Sequence, residues 1–124
     1  MTSNSPHLLQ LGKVTIFFVP SHKLDDARFF HGAHTARHLI HEFLVRRYRA
    51  YTHTPTPVKG FWIDPNGVLA HDVMDRFEVS FGSEDELNCL SEFLVELCEQ
   101  LEEEAIYMTR GERSFLITRH PLKD

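Results

Sequence analysis

Long apolar runs are missing from this 124-residue chain. The most apolar stretch, Val14 to Val19, falls far short of the roughly 20 residues a bilayer-spanning helix needs, so no transmembrane helix is expected. The N-terminal MTSNSPHLLQLGK has no basic segment followed by a long apolar core and does not read as a signal peptide, so the chain is expected in the cytoplasm. Cysteine is scarce. Cys89 and Cys98 fall nine residues apart in one predicted helix, roughly 13 Å apart along its axis and on opposite sides. They cannot bond to each other there and read as small core or boundary residues.

Catalytic signatures are also lacking. No G-x-S-x-G, Walker loop or G-x-G-x-x-G occurs, and the glycines at 12, 32, 60, 67, 82 and 111 are scattered as turns and breaks. Paired cysteine motifs are missing, as are H-E-x-x-H and H-x-x-E-H: His41-Glu42 is followed by Phe43-Leu44-Val45, and His38 to Glu42 reads HLIHE. A small ferredoxin-like nuclease needs a carboxylate at the end of its first strand, where this chain has Val19-Pro20-Ser21. No motif identifies a reaction, and a non-enzymatic module is the leading reading.

Basic residues are few in the second half. Residues 1–62 hold eight Lys/Arg against three Asp/Glu, a balance of +5, and residues 63–124 hold five against fifteen, a balance of −10. An acidic half repels phosphates, so the asymmetry reads first as internal charge pairing and only second as a nucleic-acid surface. Arg46, Arg47, Arg49 and Lys59 form the one candidate basic patch. With an outline shared by RNA-recognition motifs, that patch makes RNA binding a third option, against which stand the missing K/R-G-F/Y-G/A-F pattern around Phe77 and Phe81 and the acidic second helix.

What is present is one domain's worth of α+β pattern: a loose leader over residues 1–12, then a single domain over 13–124. KVTIFFV, residues 13–19, is a β-branched and aromatic strand stopped by Pro20, apolar on both faces, as a central strand would be. A first helix starts near Asp25 or Asp26, or after Gly32, and runs to about Ala50, before the loop YTHTPTPVK with its two prolines. Ala33, Ala36, Leu39, Ile40, Phe43 and Leu44 share its apolar arc. Asp64-Pro65-Asn66-Gly67 is a turn signal that joins Phe61–Ile63 to a strand beginning at Val68, which continues or restarts as Arg76–Phe81. Ser83 with Glu86 forms a capping box, and Leu87, Leu90, Leu94, Leu97 and Leu101 set a leucine face on a helix with nine acids between Glu84 and Glu104 and no Lys or Arg. AIYMT and SFLITRH around RGER close the chain as a hairpin.

The order β-α-β-β-α-β-β makes a ferredoxin-like antiparallel sheet with both helices on one face. Its other face is expected to bury against a second copy, giving a dimeric α+β sandwich or barrel, with Phe17, Phe61, Trp62 and Phe115 as surplus aromatics.

The unusual chemistry lies in HGAHTARHLIHEFLVRRY, residues 31–48. His31, His34, His38 and His41 recur at spacings of three, four and three, centred opposite the apolar arc and therefore facing away from the core. His34 and His38, at i and i+4, suit one zinc or nickel ion through neutral imidazoles, with Glu42, His53 or His71 as the third ligand. A histidine-bearing polar face without metal is the plainer reading, and no cofactor is expected. Asp64, His71, Asp72 and Asp75 read as turn and edge residues around the hairpin. The sequence thus supports a homodimeric module that binds a small molecule or a protein partner, with a metal-binding protein or metal-dependent enzyme as the alternative.

Overall fold

A computed structural model describes residues 5–122; the first four residues of the expected leader and the last two of the domain lie outside it. The chain forms β1 (Lys13–Pro20), α1 (Ala36–Tyr48), β2 (Thr52–Ile63), β3 (Leu69–Phe81), α2 (Glu84–Leu101), β4 (Ala105–Arg110) and β5 (Arg113–Thr118), with two 3-10 turns at Ser21–Lys23 and Ala27–Phe29. The strands make one open five-stranded sheet in the order β2-β3-β1-β4-β5, and every pairing is antiparallel.

β1 is central, as its two-faced apolarity implies, pairing with β3 through Lys13↔Phe81 to Pro20↔Met74 and with β4 through Thr15↔Arg110 to Phe17↔Met108. Thr15, Phe17 and Val19 are buried under the helices, while Val14 on the opposite face is 44% exposed. Phe17, Val19, Phe77, Val79, Phe81, Ile106 and Met108 form the sheet's contribution to the core. α1 answers with Ala36, Ile40 and Leu44, and α2 with Leu90, Leu94, Leu97 and Leu101, each set spaced by three or four residues so that one stripe meets the sheet. Each fully buried Leu or Phe side chain contributes about 1.5–3 kcal/mol of transfer free energy. Phe17 and Phe115 are therefore core-side residues, and of the four aromatics expected to be in surplus only Phe61 and Trp62 stand exposed. Arg110 is buried, and among the described residues no acidic side chain pairs with it: its guanidinium lies 4.1 Å from the Phe81 ring centroid and donates to Thr15 Oγ1 at 2.9 Å.

α2 follows its sequence signals. Ser83 Oγ accepts from the Glu86 N–H at 3.1 Å, acids fill the first turn, and the helix closes on a left-handed Glu102. The Glu86 carboxylate does not complete the box; it accepts from Arg47 at 3.0 Å, the ion pair that joins the two helices. Elsewhere the basic helix is satisfied locally, Arg46 by Glu42 and Arg37 by Asp25. Six of the nine acids lie within α2, with Glu102, Glu103 and Glu104 beyond its last residue.

Two expectations need correction, the place of Ala33 on the apolar arc and the loop at YTHTPTPVK, and two open alternatives are decided, the start of α1 after Gly32 and the unbroken run of β3. α1 starts at Ala36, capped by Thr35, whose Oγ1 accepts from the His38 N–H at 3.0 Å. Asp26 instead caps the one-turn 3-10 segment at Ala27–Phe29, after which extended Phe30 and left-handed Gly32 (φ 64°) end helical continuity. Ala33 is accordingly exposed and outside the apolar arc. The stretch YTHTPTPVK is mostly strand, because β2 is an edge strand and its pairing with β3 shifts register between Thr54 and Val58. A bulge on an edge is where a sheet tolerates proline. β3 runs unbroken for 13 residues, so the strand beginning after the turn continues and does not restart.

Gly12 shows how tightly the leader enters the sheet. It sits at φ 118°, and a Cβ there would lie 2.3 Å from the Phe81 carbonyl carbon and oxygen. Both cysteines are free. Burial pushes the Cys98 thiol up to about 11, and its Sγ faces the Ile117 carbonyl at 3.7 Å. At pH 8 a thiol-specific reagent is expected to label half-buried Cys89 and spare Cys98 until the protein unfolds, as read by mass spectrometry of the intact chain. The sign of the shift adds that Cys98 supports the fold fully below a thiol's ordinary pKa of about 9 and ceases to do so as pH rises to about 11. Labelling of Cys98 at a rate equal to Cys89 contradicts this packing.

Candidate functional site: a cleft above a buried aspartate

The alternation that buries Phe77, Val79 and Phe81 continues one step back along β3 to Asp75, which is 4% exposed. A carboxylate in a core row is costly unless its oxygens are satisfied. Ser21, on the 3-10 turn after β1, donates its hydroxyl to Asp75 Oδ1 at 2.5 Å. His53, near the start of β2, places Nε2 2.7 Å from Oδ2. Arg37, in the first turn of α1, brings its guanidinium within 3.9 Å of the same oxygen while forking onto Asp25 at 2.9 and 3.0 Å.

Above this hub lies a cleft of about 310 Å³ lined by Thr35, Arg37, His38, His41, Tyr51 and His53. The His53 ring lies flat on Phe77, with centroids 4.4 Å apart and planes 4° apart, so the core fixes its orientation. Since a carboxylate only accepts, His53 Nε2 donates to Asp75, and a neutral His53 keeps its lone pair on Nδ1. On the other wall Tyr51 Oη lies 2.9 Å from His41 Nδ1. Burial raises the Tyr51 phenol above its ordinary pKa, with Arg37 opposing, so the phenol stays protonated at neutral pH and can donate to that nitrogen. The Arg37 guanidinium, through its hydrogen bonds, holds the Asp25 carboxyl below its ordinary value, and Asp25 in turn raises Arg37. Arg37 therefore remains a cation at the cleft edge.

The arrangement can hydrogen-bond a polar ligand, present aromatic and imidazole faces for stacking, and hold a proton on His53 against Asp75. It is not a serine relay. Ser21 bonds to the carboxylate and not to the imidazole, so no base activates its hydroxyl. A larger surface groove of about 410 Å³ lies along Gln10, Leu11, Gly12, Lys13 and Gly82. With Lys13 as its one titratable side chain it offers little chemistry.

Of the histidines singled out by spacing, His38 and His41 enter the cleft. His31 and His34 precede the helix, where their backbones pair with each other at 3.0 and 3.1 Å, and the His34 ring stacks on His38 with centroids 4.7 Å apart. All four are exposed, which the wheel explains for His38 and His41 alone, since His31 and His34 lie outside α1. Among the described residues no three His, Cys, Asp or Glu side chains converge as a metal-binding group would. Of the third-ligand candidates, Glu42 is held by Arg46, His71 stacks on Phe61 and His53 faces Asp75. Of the four basic residues, Arg46, Arg47 and Arg49 cluster at the end of α1 and Lys59 lies apart on β2. Arg46 and Arg47 are in ion pairs, Arg49 is the left-handed cap of α1, and Lys59 lies about 20 Å along extended β2 from its start. Asp64 is the turn residue expected, accepting from the Asn66 and Val68 N–H groups at 2.9 Å. Spacing alone did not find Ser21, Arg37, Tyr51 or the role of Asp75. The alternation in DRFEVSF, read one position further back than Phe77, was the available signal for Asp75.

No family model matches the sequence, and no curated protein matches it. Among solved structures the fold is similar to a phage SAM lyase in complex with S-methyl-5′-thioadenosine, at a TM-score of 0.58 and 14% identity, over 93% of this chain and 96% of that one. The apo state of a phage SAM lyase matches at 0.57 and 15%, over 98% and 100%. The likeness is one of fold. No helix among the described residues is long and apolar enough to cross a membrane.

Proposed function

We propose that this chain is a small homomeric module of ferredoxin-like type that binds an adenosyl-bearing small molecule in the cleft between α1 and β2. The order β2-β3-β1-β4 supports the ferredoxin-like reading, with β5 as an added edge strand. The observation that carries the binding reading is the satisfied, buried Asp75 beneath an open, polar and aromatic cleft. A buried carboxylate that fixes a half-exposed imidazole is the sort of support a binding or catalytic group needs. The ligand class comes from the phage SAM lyase likeness, which spans nearly the whole of both chains. Adenine offers a flat face for Tyr51 or His41, and ribose hydroxyls offer donors for His53 Nδ1. Neither a metal nor a second cofactor is part of the proposal.

The test is a thermal-shift and calorimetric titration of the purified protein with SAM, S-methyl-5′-thioadenosine and adenosine. Saturable binding is expected, with stabilisation of about 2.7 kcal/mol at a hundredfold excess over the dissociation constant. His53→Ala is expected to weaken it at least tenfold. Absence of heat or shift at millimolar ligand with a folded protein removes the reading. Chromatography of the SAM samples for newly formed S-methyl-5′-thioadenosine decides whether binding is accompanied by turnover.

A further inference from the structure

β2 and β3 outrun the sheet. Pairing between β1 and β3 stops at Pro20↔Met74, yet the β2–β3 ladder continues from Val58↔Met74 out to Ile63↔Leu69. Residues 58–73 thus form a two-stranded arm closed by the turn at Asp64–Gly67, in which Gly67 N–H donates to the Asp64 carbonyl at 2.9 Å. The arm carries Phe61 (63% exposed), Trp62 (45%), Ile63 (65%), Val68 (58%), Leu69 (63%) and Val73 (37%). By strand parity Phe61, Ile63, Leu69 and Val73 continue the helix-covered face of the sheet to a place where no helix lies over it, and Trp62 is on the other face.

We infer that this arm is the self-association element of the protein, and that its occupant is the arm of a second copy. The inference rests on the homomeric part of the function proposed above and names the surface responsible. An isolated two-stranded ribbon is marginal in water, so one that exposes six large apolar residues is stabilised by being covered. Without Trp62, which is on the other face, the remaining five expose on the order of 500 Å² per copy, so two copies bury at most about 1,000 Å², the lower edge of a specific interface. On the inner side of Leu69–Val73 no strand among the described residues pairs with β3, so the backbone edge is open there to an identical strand. A surface that is apolar and edge-open in the same segment is self-complementary about a two-fold axis. The sheet's open face also exposes Val14, Tyr107 and Leu116, interrupted by the Arg76–Glu78 ion pair, Ser80 and Thr109, and a substitution at Leu116 separates it from the arm.

Trp62 is the only tryptophan in the chain and reports on the arm directly. Size-exclusion chromatography with light scattering at tens of micromolar is expected to give at least twice the 14.5 kDa chain mass. Dilution is expected to change Trp62 emission as the arm that carries it is released. The double substitution Ile63→Lys with Leu69→Lys is expected to give a monomer with unchanged far-UV circular dichroism and the emission of the diluted wild type at every concentration, whereas Leu116→Lys on the open face is expected to leave assembly intact. A wild-type monomer throughout the range overturns the inference, which leaves the arm to a different partner. So does assembly that survives the arm substitutions or is lost with Leu116→Lys. Ligand titration of the monomeric arm variant separates this outcome from failure of the binding reading.

Discussion

Phe77→Ala is expected to destabilise the protein by about 4 kcal/mol, the middle of the range for truncating a buried aromatic. For a domain of this size that is a fall of roughly 15 °C in Tm, read by thermal unfolding under circular dichroism. Three rings meet at this position. Phe17 stacks on Phe77 with centroids 5.3 Å apart, His53 lies on it at 4.4 Å, and Tyr51 approaches at 6.3 Å. The cavity therefore opens at the junction of β1, β2 and β3, where the surrounding strands are least able to collapse into it. Phe77→Leu fills most of the volume and is expected to cost about 1.5 kcal/mol or less. It nonetheless removes the flat face that orients His53, so ligand affinity is expected to fall more than stability does. Losses below 1 kcal/mol for Phe77→Ala contradict the central place given to this ring.

Asp75→Ala is expected to cost about 3 kcal/mol in urea unfolding and to abolish ligand binding in the cleft. The alanine leaves the Ser21 hydroxyl and His53 Nε2 without their acceptor and the Arg37 guanidinium without its second carboxylate. Removing one member of a buried charge network leaves the others desolvated and unpaired, and that penalty exceeds the net worth of the original bonds. Asp75→Asn keeps the shape and one acceptor oxygen and is expected to cost less than half as much. The two variants together divide the cost between lost hydrogen bonding and lost charge. Equal stability of Asp75→Ala and the wild type removes Asp75 as the support of the cleft.

The fold was legible wherever local chemistry and tertiary packing agree. The Ser83 cap and the leucine period placed α2, the Asp64-Pro65-Asn66-Gly67 turn placed the β2–β3 hairpin, and β-branched residues on both faces placed β1 at the centre of the sheet. It was not legible where a local signal is overridden from a distance. Pro55 and Pro57 argue for a loop, yet the edge position of β2 and its register shift leave them in a strand. Asp25 and Asp26 each qualify as a helix cap, yet one is recruited by Arg37 and the other by the 3-10 turn at Ala27–Phe29. The candidate site was half legible. Histidine spacing drew attention to the face of α1 that borders the cleft, but the group organising it is an aspartate about 35 residues further on, joined to Ser21 and His53 only by the folded sheet.

The central place of β1 also bears on how the chain is made. Its neighbours are among the later parts of the sequence: Lys13 waits for Phe81 and Thr15 for Arg110. At a synthesis rate of about 5–20 residues per second, the interval between β1 and β4 is on the order of 5–20 s. Until α2 is made Phe17 and Val19 have no leucine face above them, and until β4 is made Phe17 has no strand on one side. The earliest made of these five strands is thus the last to be enclosed, so folding of the sheet is gated by completion of the β4–β5 hairpin, and the chain is at its most adhesive just before it becomes its most compact.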